Sequence, residues 1–266
     1  MLIILSPAKT LDYSPVEADL PLTTPLLVKD TAKLAAVARK LTRADLARIM
    51  DISDKLADLT HERFKAFRTD QENAEGIQAV MAFAGDVYEG LKARTLSKED
   101  LEFAQDNVRI LSGLYGVLRP LDRLQPYRLE MGIKLGAFGS LYDFWGDRIA
   151  KTLAETLKGH ADPTLVNLAS QEYFGAVDIR ALKKPLITCT FLQDRAGERR
   201  NLGLYSKVAR GLMTRFAIDN RVERAADLKG FASARYRFAS ELSTETEWVF
   251  VRPQPEPGTP MAQSEA

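Results

Sequence analysis

With a single cysteine and only two histidines in 266 residues, the chain excludes several kinds of chemistry before any motif is read. Cys189 has no partner for an internal disulfide and fits a reducing compartment. It stands inside Pro185-Leu-Ile-Thr-Cys-Thr-Phe-Leu192, where it reads as a small core residue of a strand rather than as an exposed, low-pKa sensor thiol. His61 and His160 lie far apart, with no His or Cys at ligand spacing. No His/Cys zinc or iron site is legible, and no metal or cofactor is expected. No apolar run approaches the roughly 18 residues of a membrane span, and no basic segment precedes Met1–Leu5, so neither membrane insertion nor export is expected and the cytoplasm is the expected location. The sequence has no Gly-x-Gly-x-x-Gly after a strand, no Walker loop and no Gly-x-Ser-x-Gly elbow, so nucleotide cofactors of the common types are not indicated. Net charge is +1, and nothing global marks a nucleic-acid binder.

What is present is ordinary for a globular protein. At 45% hydrophobic and 27% charged residues, the chain can bury a full core. Leu2–Leu5 reads as a short buried strand. Thr24 is placed to cap a helix that starts at Pro25 and carries Leu27, Thr31, Leu34, Ala38 and Leu41 along one face. Short helices are expected at about 43–50, 53–58, 61–67, 73–81, 86–93 and 98–107, the last opened by the capping box Ser97-Lys-Glu-Asp100. Strands are expected at 108–112, 164–168, 186–193, 201–205, 235–241 and 247–251, with helices at 141–158 and 207–222. This is an α/β (mixed α+β) pattern. It predicts one compact domain over 1–252, a mixed sheet surrounded by helices, and a disordered Pro-rich tail over 253–266.

The most unusual stretch is Gly113–Gly132, where Gly113, Gly116, Gly132, Pro120 and Pro126 interrupt regular structure while Arg119, Arg123, Tyr127, Arg128 and Glu130 crowd between them. Such segments position functional side chains, and arginine forks suit phosphate or carboxylate. The plainer reading is a connection whose arginines pair with Asp122 and Glu130. Between Arg199 and Arg237, ten Lys or Arg face three acids. In the helix expected there, Lys207, Arg210, Thr214 and Arg221 share one arc, opposite Val208, Leu212 and Phe216, with Arg215 at the border and Gly211 leaving the backbone open to close approach.

Beyond these local readings, Gly113–Gly132 occurs together with Leu2-Ile-Ile-Leu-Ser-Pro-Ala-Lys-Thr-Leu-Asp12, Ile52-Ser-Asp-Lys-Leu56, Gly85-Asp-Val-Tyr88, Phe144-Trp-Gly-Asp147, Asn167-Leu-Ala-Ser170 and Arg210-Gly-Leu-Met-Thr-Arg-Phe216. This set resembles the YaaA peroxide-stress family of bacterial cytoplasmic proteins, from Met1 to about Arg252. The resemblance implies a part in limiting peroxide damage, through lowered reactive iron, and binding to duplex DNA. It carries no assignable reaction. A helix-hairpin-helix element attributed to the family falls near 42–67, with Leu46, Ile49, Leu56 and Leu59 expected to pack two helices across Met50-Asp-Ile-Ser53. That turn lacks glycine and carries Asp51.

The expected partner is therefore double-stranded DNA, bound without sequence specificity by a monomer through Lys9, Lys55, Arg119, Arg128, Lys207, Arg210 and Arg215. The alternative is an enzyme acting on a phosphorylated or nucleoside-like small molecule. Its cleft would draw on Asp54, Asp86, Tyr88, Tyr127, Glu130, Trp145, Asp147, Asn167, Ser170, Glu172 and Tyr173, with Lys9 in the loop after the first strand, where α/β sheets place ligand groups.

Overall fold

Strand β1 (Leu2–Leu5) is buried on both faces, as an unbroken apolar run requires of a strand flanked by parallel neighbours. In the computed structural model, which describes residues 1–16, 20–70 and 74–255, β1 lies inside an eight-stranded mixed sheet. The connection out of β1 carries α1 (Val28–Ala38), α2 (Arg43–Met50), α3 (Asp54–Ala66), α4 (Asp86–Leu91) and α5 (Lys98–Asn107). Strands β2 (Val108–Ser112) and β3 (Gly116–Leu118) follow as a hairpin, and α6 (Arg148–Leu157) leads to β4 (Leu165–Leu168). A second hairpin joins β5 (Leu186–Arg195) to β6 (Glu198–Arg200), and α7 (Gly203–Asp219) precedes β7 (Arg237–Phe238) and β8 (Glu247–Pro253).

The strands run in the order β7-β8-β5-β4-β1-β2-β3, with β6 paired to the far end of β5. The contacts of β1 with β2 and β4, of β4 with β5 and of β5 with β8 are parallel, and the hairpins are antiparallel. Leaving β1, the chain first builds β2 on one side and later returns to lay β4 on the other. The carboxyl end of β1 is therefore a topological switch point, where diverging loops leave a crevice suited to ligands.

Helices α4 and α7 lock together above that end. A Cβ on Gly90 would lie 2.2 Å from the Val208 carbonyl oxygen, and one on Gly211 would lie 1.8 Å from the Val87 carbonyl oxygen. Only hydrogen fits at either position. The close approach expected at Gly211 is therefore made by α4.

Several expected elements shift, each for a local reason. Helix α1 starts at Val28, not Pro25; Thr24 does not cap it, and the Thr24 carbonyl instead accepts from Arg119. The helices expected at 53–58 and 61–67 are one, α3, because no breaker separates them. Of the expected helix at 73–81, residue 73 lies outside the described residues, while Ile77–Gln78 pairs with Arg123–Leu124 as a ribbon and only Ala79–Ala82 is helical. Gly146, at φ 50°, divides the helix expected at 141–158 into a short helix at Leu141–Trp145 and α6. Residues 203–205 open α7 instead of forming a strand, since the strand signal belongs to 198–200.

The capping box at Ser97 and Asp100 is present. Pro253 ends β8, and the tail expected beyond it lies outside the described residues from 256 onward. Helices α2 and α3 do pack across a short turn, but Leu56 and Leu59 are exposed and Ala57, Thr60 and Phe64 take the inner face. A helix pair is therefore present, without the packing expected of a helix-hairpin-helix.

Gly211→Ala and Gly90→Ala are each expected to destabilise the fold by about 3 kcal/mol, since backbone must move to admit a methyl group. Gly203→Ala is the control: no atom lies within 4 Å of its would-be Cβ, and a change below about 0.5 kcal/mol is expected. Urea denaturation reads both. Equal effects at the three positions would show that the α4–α7 crossing is not tight.

Candidate functional site

The crevice at the switch point has a volume of about 430 Å³, the size of small-ligand sites. Its floor is stitched by short polar contacts between the ends of β1 and β4. Ser6 Oγ accepts from the Ser170 amide at 2.8 Å and donates to Ser170 Oγ at 3.2 Å, while the Tyr88 hydroxyl donates to the Ser6 carbonyl at 3.0 Å. The walls are the loop Pro7–Thr10, the first turn of α4 with Asp86, the turn carrying Glu172 and Tyr173, and the side chains of Lys207 and Arg210 from α7.

Charge is distributed unevenly around this opening. Lys207 Nζ lies 3.2 Å from Asp86 Oδ2, one pair across the α4–α7 junction. Arg210, one turn further along, is only partly exposed and makes no ion pair among the described residues, and its buried Nε has no hydrogen-bond partner in the protein. Burial lowers its pKa, and the nearby Cys189 opposes that. A guanidinium stays protonated even so, so the protein holds here a largely desolvated positive charge that it does not neutralise. Such charges are costly unless something pairs with them.

Beside the crevice, and sharing Pro7, Ala8, Lys9 and Tyr173 with it, lies a notch of about 10 Å³ lined by Tyr127, Arg128 and Glu130. Arg128 Nη2 is 2.9 Å from Glu130 Oε1, and Lys9 Nζ is 3.7 Å from the same oxygen. Burial raises the pKa of Tyr88, Tyr127 and Tyr173. All three stay protonated near neutrality, and the Tyr88 hydroxyl donates to the Ser6 carbonyl.

The structure thus brings together Lys9, Asp86, Tyr88, Ser170, Tyr173, Lys207 and Arg210, with Tyr127, Arg128 and Glu130 next to them. The other sequence candidates are placed elsewhere. Arg119 is bound to the fully buried Asp122 at 2.9 and 3.0 Å and to the Thr24 carbonyl. Arg215 pairs with Asp219 at 2.7 Å and reaches Thr95. Neither lines the crevice. Asp54 and Lys55 are exposed at the start of α3, and Asp147 pairs with Lys151 at 2.6 Å.

Trp145 is buried and donates from Nε1 to the Gly113 carbonyl at 3.0 Å, which makes it a core residue rather than a stacking platform. Asn167 is buried within β4 and accepts from the Ala169 amide at 2.9 Å, shaping the strand's exit. Thr214 is fully buried and Leu212 is not, so α7 has no simple division into a basic and a core face. Arg221 lies past the end of α7 at φ 49° and pairs with Asp100 at 2.7 Å. Sequence reasoning missed Ser6 and Gly90. The available signals were a polar residue directly after the first strand and a glycine within a helical stretch.

A family model described as "Peroxide stress protein YaaA" matches residues 1–242. The chain belongs to this family. A UPF0246 protein of Phenylobacterium zucineum (strain HLK1) is 59% identical over 97% of this chain and 97% of its own length. One from Caulobacter vibrioides (strain NA1000 / CB15N) is 60% identical over 96% of this chain and 100% of its own, and one from Maricaulis maris (strain MCS10) is 51% identical over 96% and 97%.

In this member of the YaaA family no helix among the described residues is long and apolar enough to cross a membrane. Nor do three or more His, Cys, Asp or Glu converge as a metal site among them. Cys189 is buried in β5, and burial pushes its thiol up to about 12. Native protein at pH 8 is therefore expected to be alkylated roughly a thousand-fold more slowly than urea-unfolded protein, whose thiol titrates near 8.5. Because the folded pKa is the higher one, the linked stability is complete below about pH 8.5 and falls as pH rises toward about 12. Mass spectrometry of iodoacetamide-treated samples checks the first point. Equal rates would mean that the thiol is accessible.

Proposed function

We propose that the crevice binds a small anionic ligand, phosphorylated or carboxylated, and that the protein contributes to peroxide resistance through that ligand. Arg210 carries the reading: a largely buried guanidinium that lines a ligand-sized opening and has no carboxylate partner among the described residues. Lys207 stands beside it and can share an anion, since its contact with Asp86 is exposed on the lysine side. We assign binding here and no reaction. Protection from iron-driven damage is, in this proposal, an indirect effect of ligand occupancy in a cytoplasmic monomer.

Binding of duplex DNA is the second reading. Arg224, Lys229, Arg235 and Arg237 are exposed and make no ion pair among the described residues, which supports non-specific phosphate contact outside the crevice. Much of the remaining basic excess is offset by acids from elsewhere in the fold. Arg199, Arg200, Lys207 and Arg221 lie within 3.2 Å of Asp194, Glu198, Asp86 and Asp100 respectively.

Calorimetric titration with inorganic phosphate and pyrophosphate is expected to show binding that Arg210→Ala weakens about 10- to 100-fold, the range for loss of a charged hydrogen bond. Anisotropy with labelled duplex is expected to be insensitive to Arg210→Ala and to fall when Arg224, Arg235 and Arg237 are replaced by Ala. Absence of small-anion binding, together with duplex binding that steepens as salt is lowered, would reverse the order of the two readings.

A further inference from the structure

The ion pairs around the crevice leave one charge of each sign over. Lys207 is matched by Asp86 at 3.2 Å, and Lys9 by Glu130 at 3.7 Å. Of the five charged side chains that line the opening, Arg210 and Glu172 remain. Among the described residues Arg210 has no carboxylate partner and Glu172 has no cation, so the two do not pair with each other either.

Glu172 is held in place at the wall. Its Oε1 accepts from the Gly132 amide at 3.2 Å, and its backbone carbonyl accepts from the Tyr142 hydroxyl at 2.9 Å. Its Oε2 makes no hydrogen bond among the described residues. The Glu172 side chain is exposed and Arg210 partly so, and both face the same crevice, so one ligand lying there can reach both without displacing a buried group.

An anion alone satisfies half of this arrangement. Drawn in by Arg210, it meets like charge at Glu172. A ligand that carries a protonated amine as well as an anionic group turns that repulsion into a second attraction, because an ammonium only donates and a carboxylate only accepts. Building on the anion-binding reading above, we infer that the crevice recognises a small zwitterion, with its anionic group at Arg210 and its ammonium at Glu172. Pro7, Ala8, Ala84 and Val87 supply apolar surface in the same crevice for a short carbon skeleton, and a volume of about 430 Å³ admits an amino acid or an amino phosphate.

The test is calorimetry on the full chain near neutral pH, with each zwitterion set against the compound in which a hydroxyl replaces the amine. Glycine, β-alanine and γ-aminobutyrate are compared with the hydroxy acids of the same length, and phosphoethanolamine with ethylene glycol phosphate. At least one zwitterion is expected to bind about 5- to 10-fold more tightly than its hydroxyl counterpart, between the worth of an exposed ion pair and that of a buried charged hydrogen bond. Glu172→Gln keeps an oxygen to accept from the Gly132 amide and is expected to remove most of that advantage. The hydroxyl compound is expected to bind this variant no more weakly than it binds the wild type, which shows that the variant is folded. An advantage among the amino acids identifies a carboxylate as the anionic group, and one confined to phosphoethanolamine identifies a phosphate.

The inference is overturned if every zwitterion binds within about 2-fold of its hydroxyl counterpart, or if the advantage survives Glu172→Gln; in either case the anion reading stands on the binding of the hydroxyl compounds and inorganic phosphate. If none of these anions binds the wild-type protein, the anion reading itself fails, and this inference fails with it.

Discussion

The backbone contact between α4 and α7 at Gly90 and Gly211 sets the position of the charged groups that face the crevice. Asp86 lies one turn before Gly90, Arg210 is the residue before Gly211, and Lys207 is one turn before that. With any side chain at the crossing, the helices would have to separate, because the missing methyl groups would overlap carbonyl oxygens at 2.2 and 1.8 Å. Separation would part Lys207 from Asp86 and lift Arg210 from its place beside Ser170 and Tyr173. The glycines weaken both helices in isolation, and tertiary packing offsets that loss.

Two kinds of buried charge follow from this geometry. Asp122 is fully buried, yet it accepts from the Arg119 amide and guanidinium and from the Thr23 hydroxyl at 2.6 to 3.0 Å. That network ties the Gly113–Gly132 segment to Thr23 and Thr24 near the start of the chain, while Arg123 is bound to the Ala74 carbonyl and Tyr127 to Ser112. The segment therefore holds mainly itself. Arg210 and Glu130 differ, since each keeps a buried polar atom without a protein partner. Arg109 Nε, away from the crevice, is left without a partner as well, so incomplete charges are not confined to the switch point, and what singles out Arg210 is that it lines the opening.

The main elements were legible in the sequence where a local rule decides them. Leu2–Leu5, Val108–Ser112 and the capping box at Ser97 each follow from pattern or cap chemistry, and Lys9, expected in the loop after the first strand, lines the crevice there. Sequence could not show which arginines find carboxylates. Arg119 and Arg210 look alike as residues between glycines, yet one meets Asp122 and the other meets no acid among the described residues. Helical periodicity also misassigned Thr214, because α7 is covered on more than one side and has no single outer face. The role of Gly90 depends on a partner helix more than a hundred residues away in the chain.

Anomalous diffraction from crystals soaked in tungstate, a phosphate mimic, addresses the central claim most directly. An ordered anion within hydrogen-bond distance of the Arg210 guanidinium, with Lys207 turned toward it, is the expected result. Tungstate confined to the exposed arginines between Arg224 and Arg237, with none at Arg210, would contradict an anion site at the switch point.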